Sequence, residues 1–328
     1  MAPMPKITVC IPTFNRAHLL PFAIGSVLAQ TESDWELIVC DDGSTDDTPA
    51  VMAGYTDPRI RYLRHDRNIG KSNNMRSGYE AATGEYFIKF DDDDRLTPDF
   101  LAKTSQILDQ QPEIGFVGTD HWVIDEQNQR RQDWSDQNSQ RWGRSSLPEG
   151  SISDLLTVVF VRQSLQIGAT LFRRSALQVV DYMRRDWQNC EDNDLFVRLA
   201  LAGYSAYYLP ERLMEYRFHP EQQGIHRAIP YLSDKVQYLQ SYEFQGELEE
   251  IRRSRLAETQ LQLGWYLIET GEIAKGRNLV QASLARSSVR SNLRAVVRSN
   301  TKAMVGLTLS YLPQPVRKSL VNTLRRAK

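Results

Sequence analysis

Four consecutive carboxylates, Asp91 to Asp94, follow the apolar run Tyr86-Phe-Ile-Lys-Phe90. In an extended run side chains alternate, so Asp91 and Asp93 face one side while Asp92 and Asp94 face the other. Such neighbours repel, and their pKa values rise unless a cation neutralises them. Hard oxygen donors at i and i+2 suit Mg²⁺ or Mn²⁺. A solvated acidic loop has the same composition, but the buried strand feeding it favours the metal. A second pair, Glu191-Asp192, precedes Leu195, Phe196, Leu199 and Ala200 at helical spacing, which sets both acids at a helix N-terminus, where carboxylates cap free N–H groups. Asp42 ends the run Glu36-Leu-Ile-Val-Cys40 and suits either a ring N–H or ribose hydroxyl, or a cap on the next helix. Asn68-Ile-Gly70-Lys71 is a glycine turn whose backbone and lysine suit phosphate or a base. Neither G-x-G-x-x-G nor G-x-x-x-x-G-K-[ST] occurs, so a dinucleotide fold and a P-loop ATPase are unsupported.

These groups need a scaffold. Ile7 to Ile11 reads as a strand leaving through Pro12-Thr-Phe-Asn15, and 17–29 as a helix with Pro21 in its first turn. Strands at 36–40 and 61–63 follow, then a helix over 72–82 and the strand into Asp91. The order βαβαβαβ, with polar residues at strand ends, predicts an α/β protein with a mostly parallel central sheet flanked by helices. Right-handed crossovers put the loops after Ile11, Cys40 and Phe90 on one rim. A helix over 101–108, strands over 114–118 and 167–172, and a helix from Ser175 continue the pattern. Between them, 127–150 is polar and aperiodic, read as a long loop or hairpin. Its Trp134 and Trp142 either stack on sugar faces or belong to a plain surface excursion.

Taken together, Val9-Cys-Ile-Pro-Thr-Phe-Asn-Arg16, Val39-Cys-Asp-Asp-Gly-Ser-Thr-Asp46, Asn68-Ile-Gly70, Gly84-Glu-Tyr-Phe-Ile88 and Asp91-Asp-Asp-Asp94 resemble the family 2 glycosyltransferases over roughly residues 6 to 220. The resemblance implies a GT-A (Rossmann-like) fold and a nucleotide-diphosphate-sugar donor. It implies that Pro12, Thr13, Phe14 and Asn15 line the nucleotide and that Asp42 reads the base. Asn68, Gly70, Lys71, Asp91 and Asp92 complete the donor side. Asp91 and Asp93 become the D-x-D pair for Mn²⁺ or Mg²⁺, with Asp93 the more direct ligand. Asp192 becomes the catalytic base of an inverting transfer, with Glu191 beside it toward the acceptor. His219, in Tyr216-Arg-Phe-His219, becomes an additional metal ligand or a diphosphate contact, with Arg217 as a phosphate partner. One departure stands out: where relatives often carry Ala-Arg-Asn-x-Gly after the turn, this chain reads Asn74-Met-Arg-Ser-Gly78.

The 328 residues carry 40 Lys and Arg against 41 Asp and Glu, but unevenly. No acid follows Glu272, whereas 12 basic residues do, so the first 272 residues carry about −13 and the remainder +12. Leu261 to Arg277 resembles one tetratricopeptide-type helix-turn-helix, a unit that cannot bury its own face alone. After it, basic residues every four positions from Arg286 to Lys302 accompany an apolar stripe. Three cysteines, Cys10, Cys40 and Cys190, fit small core positions in a reducing compartment. There is neither a leader-like start nor an 18-residue apolar run.

The sequence therefore predicts a catalytic domain at 1–225, with a nucleotide half (1–97) and an acceptor half (98–225), and a helical extension at 226–328. The expected activity is inverting, metal-dependent transfer to a saccharide or lipid-linked acceptor in surface polysaccharide or glycolipid assembly. The expected location is cytoplasmic, with the basic tail on an anionic membrane and no nucleic acid bound. The rivals are a metal-dependent nucleotidyltransferase and a non-catalytic scaffold built on the tail. The first would carry a Gly-rich basic loop where Pro12-Thr-Phe-Asn15 stands, and the second lacks the aromatic-basic interleaving of an RNA module.

Overall fold

The computed structural model describes residues 4–185, 187–218, 225–286, 308, 310 and 311. The chain divides into two units, Met1–His219 and Pro220–Lys328.

In the first unit, β1 (Ile7–Thr13), β2 (Trp35–Asp41), β3 (Ile60–Arg64) and β4 (Tyr86–Lys89) lie side by side in the order β3-β2-β1-β4, all parallel. Every residue of β2 and β4 is buried, which is why both read as mostly apolar runs, broken only by Glu36, Asp41 and Lys89, instead of alternating ones. The crossovers are α1 (Leu20–Leu28), α2 (Thr48–Ala53) and α3 (Lys71–Ala81). Pro21 sits in the first turn of α1, where its missing N–H costs nothing. Helix α3 lies close to the sheet because Gly78 has no Cβ: one would stand 2.3 Å from Cys10 Sγ and 2.5 Å from Cys40 Sγ. Parallel pairing puts the exits of β1, β2 and β4 on one edge, as the element order required.

The second half comprises β5 (Arg95–Leu96), α4 (Phe100–Gln110), β6 (Ile114–Ile124), α5 (Gln132–Arg141), β7 (Gly150–Ser151), β8 (Thr170–Arg173), α6 (Arg174–Val179), α7 (Glu191–Leu201) and β9 (Ser205–Arg217). The sheet continues β4-β8-β6-β9-β5, with β7 on the edge of β9. Here directions mix: β8 runs antiparallel to β4 and β6, while β6 and β9 are parallel. One core, from Ile7, Ile88 and Phe90 to Val117, Leu171 and Met214, spans both halves.

Two expectations change. The stretch 127–150 is not a bare loop, since α5 occupies 132–141, packed on β6 through the buried Ser135 and Ser139. Its buried face is made of serines, so it shows no apolar period. Strand β9 was not legible because Pro210 and Glu211 bulge out between Leu209, opposite Thr119, and Arg212, opposite Asp120, which breaks the alternation.

In the second unit, α8 (Ile225–Gln240), α9 (Gly246–Thr270) and α10 (Ile273–Arg286) follow one another. The expected helix-turn-helix is present, with Gly271 at φ +106° ending α9. Helices α9 and α10 cross at Gly264 and Gly276, where a Cβ on either would meet the other's carbonyl oxygen at under 3 Å. The basic stripe beyond Arg286 lies outside the described residues.

Candidate active site

Strand β4 delivers its last residues to the shared edge, and the acidic run then turns instead of staying extended. Asp94 N–H donates to Asp91 O at 3.4 Å, closing the turn. The alternation survives in exposure: Asp91 and Asp93 side chains are 31% and 17% exposed, whereas Asp92 and Asp94 are buried. Each open carboxylate meets a cation. Lys89, buried at the end of β4, pairs with Asp91, and Arg16 Nη1 donates to Asp93 Oδ2 at 2.6 Å. Burial pushes Asp91 up, but Lys89, Lys71 and Arg16 outweigh it and hold the carboxyl below the usual range. On the buried side the balance reverses. Asp92 is pushed up to about 7 by burial and by Asp93, and Asp94 is pushed well up by burial, Asp93 and Asp91.

Arg217 fixes this turn from β9. Its backbone N–H donates to Asp94 Oδ1 at 2.9 Å, and its buried guanidinium donates to Asp93 O at 2.7 Å, Asp125 O at 3.2 Å and Asn128 Oδ1 at 2.5 Å. Those donors are spent on the protein, so Arg217 holds the acidic loop where the sequence suggested a phosphate partner.

The end of β1 brings Pro12 and the buried Thr13 to the same edge, and the loop after it brings the exposed Phe14. Asn15 is left-handed (φ +54°) and locks this loop to the one after β2: its Oδ1 accepts from Thr45 N–H at 2.8 Å and its N–H donates to Ser44 Oγ at 2.9 Å. Asp42 does not cap a helix. Its carboxylate accepts the N–H groups of Ile69 (2.6 Å) and Gly70 (3.1 Å), pinning the Asn68–Gly70 turn to the end of β2. Burial pushes Asp42 up despite those two bonds.

Lys71 joins the donor-side loops to the second acidic pair. Its Nζ lies 2.6 Å from Glu191 Oε1, and Glu191 above all, with Asp91 and Asp192, holds the ammonium well above its usual range. Gly70 is left-handed (φ +90°), and Gln188 lies 2.9 Å from where its Cβ would stand while accepting Lys71 N–H at 2.9 Å. At the start of α7, Cys190 is left-handed (φ +60°) and itself caps nothing. Glu191 turns away from the helix end, and Asp192 satisfies one free N–H of the first turn. Glu191 is buried and turned to Lys71, while Asp192 is half-buried and accepts Asn193 N–H at 2.8 Å. Two positions on, the fully buried Asp194 anchors the helix through Arg198 Nε at 2.6 Å and Arg184 Nε at 3.1 Å.

The tryptophans fare differently. Trp134 sits on α5, half-buried, with Arg131 at 4.1 Å from its ring centroid and Phe218 at 5.8 Å, so it is packed and not a free platform. Trp142, at the C-terminal cap of α5, is half-buried with Arg141 at 5.6 Å. His219 lies outside the described residues.

No three His, Cys, Asp or Glu side chains converge as a metal cage among the described residues. A Mg²⁺-type ion does not need one, because it is held by one or two carboxylates, waters and substrate phosphates. The acidic turn suits such an ion: two carboxylates are partly exposed, and among the described residues Asp94 Oδ2 is buried without a hydrogen-bond partner. The donor set is all oxygen, which fits Mg²⁺ or Mn²⁺.

Sequence reasoning overlooked Lys89, Arg16 and Asp194 as site residues. Lys89 had a signal, since a lysine inside an apolar strand directly before four acids stays buried only if paired. Asp194 had one too, since Arg198 stands four positions on along the same helix, whereas Arg16 had none because its partner lies across the fold.

A family model for glycosyl transferase family 2 matches residues 8–178. The Campylobacter jejuni GalNAc(5)-diNAcBac-PP-undecaprenol beta-1,3-glucosyltransferase is 42% identical over 106 residues, 31% of this chain and 34% of that protein. The match thus spans about a third of that relative's length. The Bacillus subtilis putative glycosyltransferase EpsE is 30% identical over 219 residues, 65% of this chain and 73% of its own. Among solved structures, S. aureus TarS 1-349 in complex with UDP-GlcNAc superposes with a TM-score of 0.64 at 15% identity, over 93% of this chain and 90% of that one. The Pyrobaculum calidifontis mannosyltransferase PcManGT, in complex with GDP-Man and Mn²⁺, gives a TM-score of 0.56 at 20% identity, over 97% and 84%. At those identities the likeness shows the fold: a mixed α/β GT-A architecture followed by helices.

Proposed function

This chain belongs to glycosyl transferase family 2, and from that premise we propose that it moves a sugar from a nucleotide-diphosphate donor to an acceptor hydroxyl with inversion. The observation that carries the reading is Lys71, which ion-pairs with Glu191 while lying in the field of Asp91 and Asp192. One cation thereby ties the donor-side acids to the acids at the start of α7. The donor nucleotide lies along Pro12, Thr13, Phe14 and Asn15, with Asp42 and the Asn68–Gly70 turn against its base. Asp91 and Asp93 would hold a Mg²⁺ or Mn²⁺ ion, which when bound supplies Lewis-acid stabilisation of the departing diphosphate. Arg16 and Lys71 add positive charge on the same side. Because Glu191 is buried and committed to Lys71, the half-buried Asp192 is the member of its pair suited to receive the acceptor's proton.

The C. jejuni relative is named for an undecaprenol-linked substrate. A lipid-linked or polysaccharide acceptor follows for this chain, with the 12 basic residues after Glu272 meeting anionic lipid. Among the described residues no helix is long and apolar enough to cross a membrane.

The test is nucleoside-diphosphate release from UDP-, GDP- and dTDP-sugars, with Mn²⁺ or with chelator, against saccharide and polyprenyl-diphosphate-sugar acceptors. One donor should be turned over, its product inverted by NMR. Asp192→Asn should reduce turnover about 10²-fold or more while donor binding persists. No turnover with any donor, or near-normal turnover in Asp192→Asn, refutes the reading.

A further inference from the structure

Away from the acidic turn, a cleft of about 740 Å³ opens between α5, the bulge of β9 and the outer part of β6. A cleft of that volume is within the usual range for small-ligand sites, and its lining mixes polar side chains with apolar surface such as Trp122 and Pro210. Asp136 collects Arg212 Nη2 at 2.6 Å and Gln132 Nε2 at 2.9 Å, joining amide, carboxylate and guanidinium along one wall. Arg212 also stands 4.8 Å from the Trp122 ring centroid. Gln140, one turn further along the same face of α5, and Ser145 also line the cleft, and their exposed side chains carry no hydrogen bond to protein among the described residues. Each of the three lining carboxylates is paired with a cation, Asp136 with Arg212, Asp120 with Arg144 and Glu211 with Lys103. An anion such as a phosphate or nucleotide therefore finds no unpaired cation among the lining residues, and an apolar ligand would strand the polar groups.

We infer that this cleft is a second saccharide subsite, binding a neutral stretch of glycan through Gln132, Asp136, Gln140, Ser145 and Arg212. Hydroxyl-rich, uncharged ligands are the class that gives each of these donors and acceptors a partner. The cleft is also near enough to matter. From Trp122 to Asp125 the chain advances about 10 Å, at ~3.3 Å per residue. Asp125 O accepts from Arg217, whose Nε donates to Asp93 O at 2.7 Å. A glycan held here is within a few sugar units of the acidic turn. The inference rests on the glycosyltransferase reading only for its purpose, gripping an acceptor beyond its reacting end, and the binding itself is measurable without turnover.

The experiment titrates the full-length protein with neutral oligosaccharides (gluco-, galacto- and N-acetylglucosamine series, two to six units) and with an anionic hyaluronan tetrasaccharide, by saturation-transfer NMR and calorimetry. A neutral series should bind, more tightly with length, and the hyaluronan should not. The Gln132→Ala/Gln140→Ala double variant, whose two positions are exposed and outside the core, should weaken binding about tenfold or more. UDP- or GDP-sugar binding should stay unchanged in it. The inference is overturned if no neutral series binds, if hyaluronan binds as well, or if the double variant binds like the parent. Donor-sugar release, measured separately, distinguishes the two readings. Saccharide binding without any donor turnover removes the proposed activity and leaves the subsite, and turnover without saccharide binding does the reverse.

Discussion

Replacing Lys71 by alanine strips the buried Glu191 of its cation. The Glu191 side chain is 4% exposed and that of Lys71 47%. Removing one partner of a fully buried pair costs about 3–5 kcal/mol, but water reaches the lysine here, so roughly 2 kcal/mol is expected. For a unit the size of residues 1–219 that corresponds to a Tm lower by about 4–8 °C. The loss depends on pH with a definite sign. Burial raises Glu191 in the folded chain and Lys71 opposes that rise, so the variant's carboxyl goes higher still. The folded variant then binds the Glu191 proton more tightly than the unfolded chain does. Its stability falls as pH rises from the usual glutamate value of about 4.3 through the folded one. Thermal unfolding of parent, Lys71→Ala and Lys71→Ala/Glu191→Gln at pH 5 and pH 8 reads this directly. The deficit should be small at pH 5 and full at pH 8, and glutamine should remove most of it. An equal deficit at both pH values, or no recovery in the double variant, would show that Lys71 does not neutralise Glu191.

Three further outcomes can be checked. Asp93→Ala should abolish transfer and remove any gain in nucleotide affinity from Mn²⁺; calorimetry showing parental, Mn²⁺-enhanced binding would sink the ligand assignment. Gly78→Ala should destabilise by about 1–3 kcal/mol in chemical denaturation, because its methyl would stand 2.3 Å from Cys10 Sγ in a closed core, and a neutral effect would mean α3 shifts freely. Truncation after Ala285 should release the protein from anionic but not neutral vesicles, with the parent's pelleting reduced by salt, and equal pelleting of both forms would exclude the tail as the attachment.

Much of this protein was written locally. The runs Ile7–Ile11, 36–40 and 86–90 are apolar because their strands are covered on both faces, and their order alone forced a parallel sheet with Thr13, Asp42 and Asp91 on one edge. The exposure pattern of the four aspartates also followed from alternation, although the run turns instead of extending. Local sequence could not decide partners distant along the chain. Arg16 reaching Asp93, Lys71 reaching Glu191 and Arg217 clamping the acidic turn join residues 77, 120 and up to 124 positions apart, and no spacing rule encodes such a meeting. Helix α5 and strand β9 escaped for a related reason. One buries serines and the other is broken by a bulge, so each is held by β6 and not by a period of its own. Pattern reveals an element when its own residues supply the burial, and tertiary structure alone decides where the neighbour supplies it.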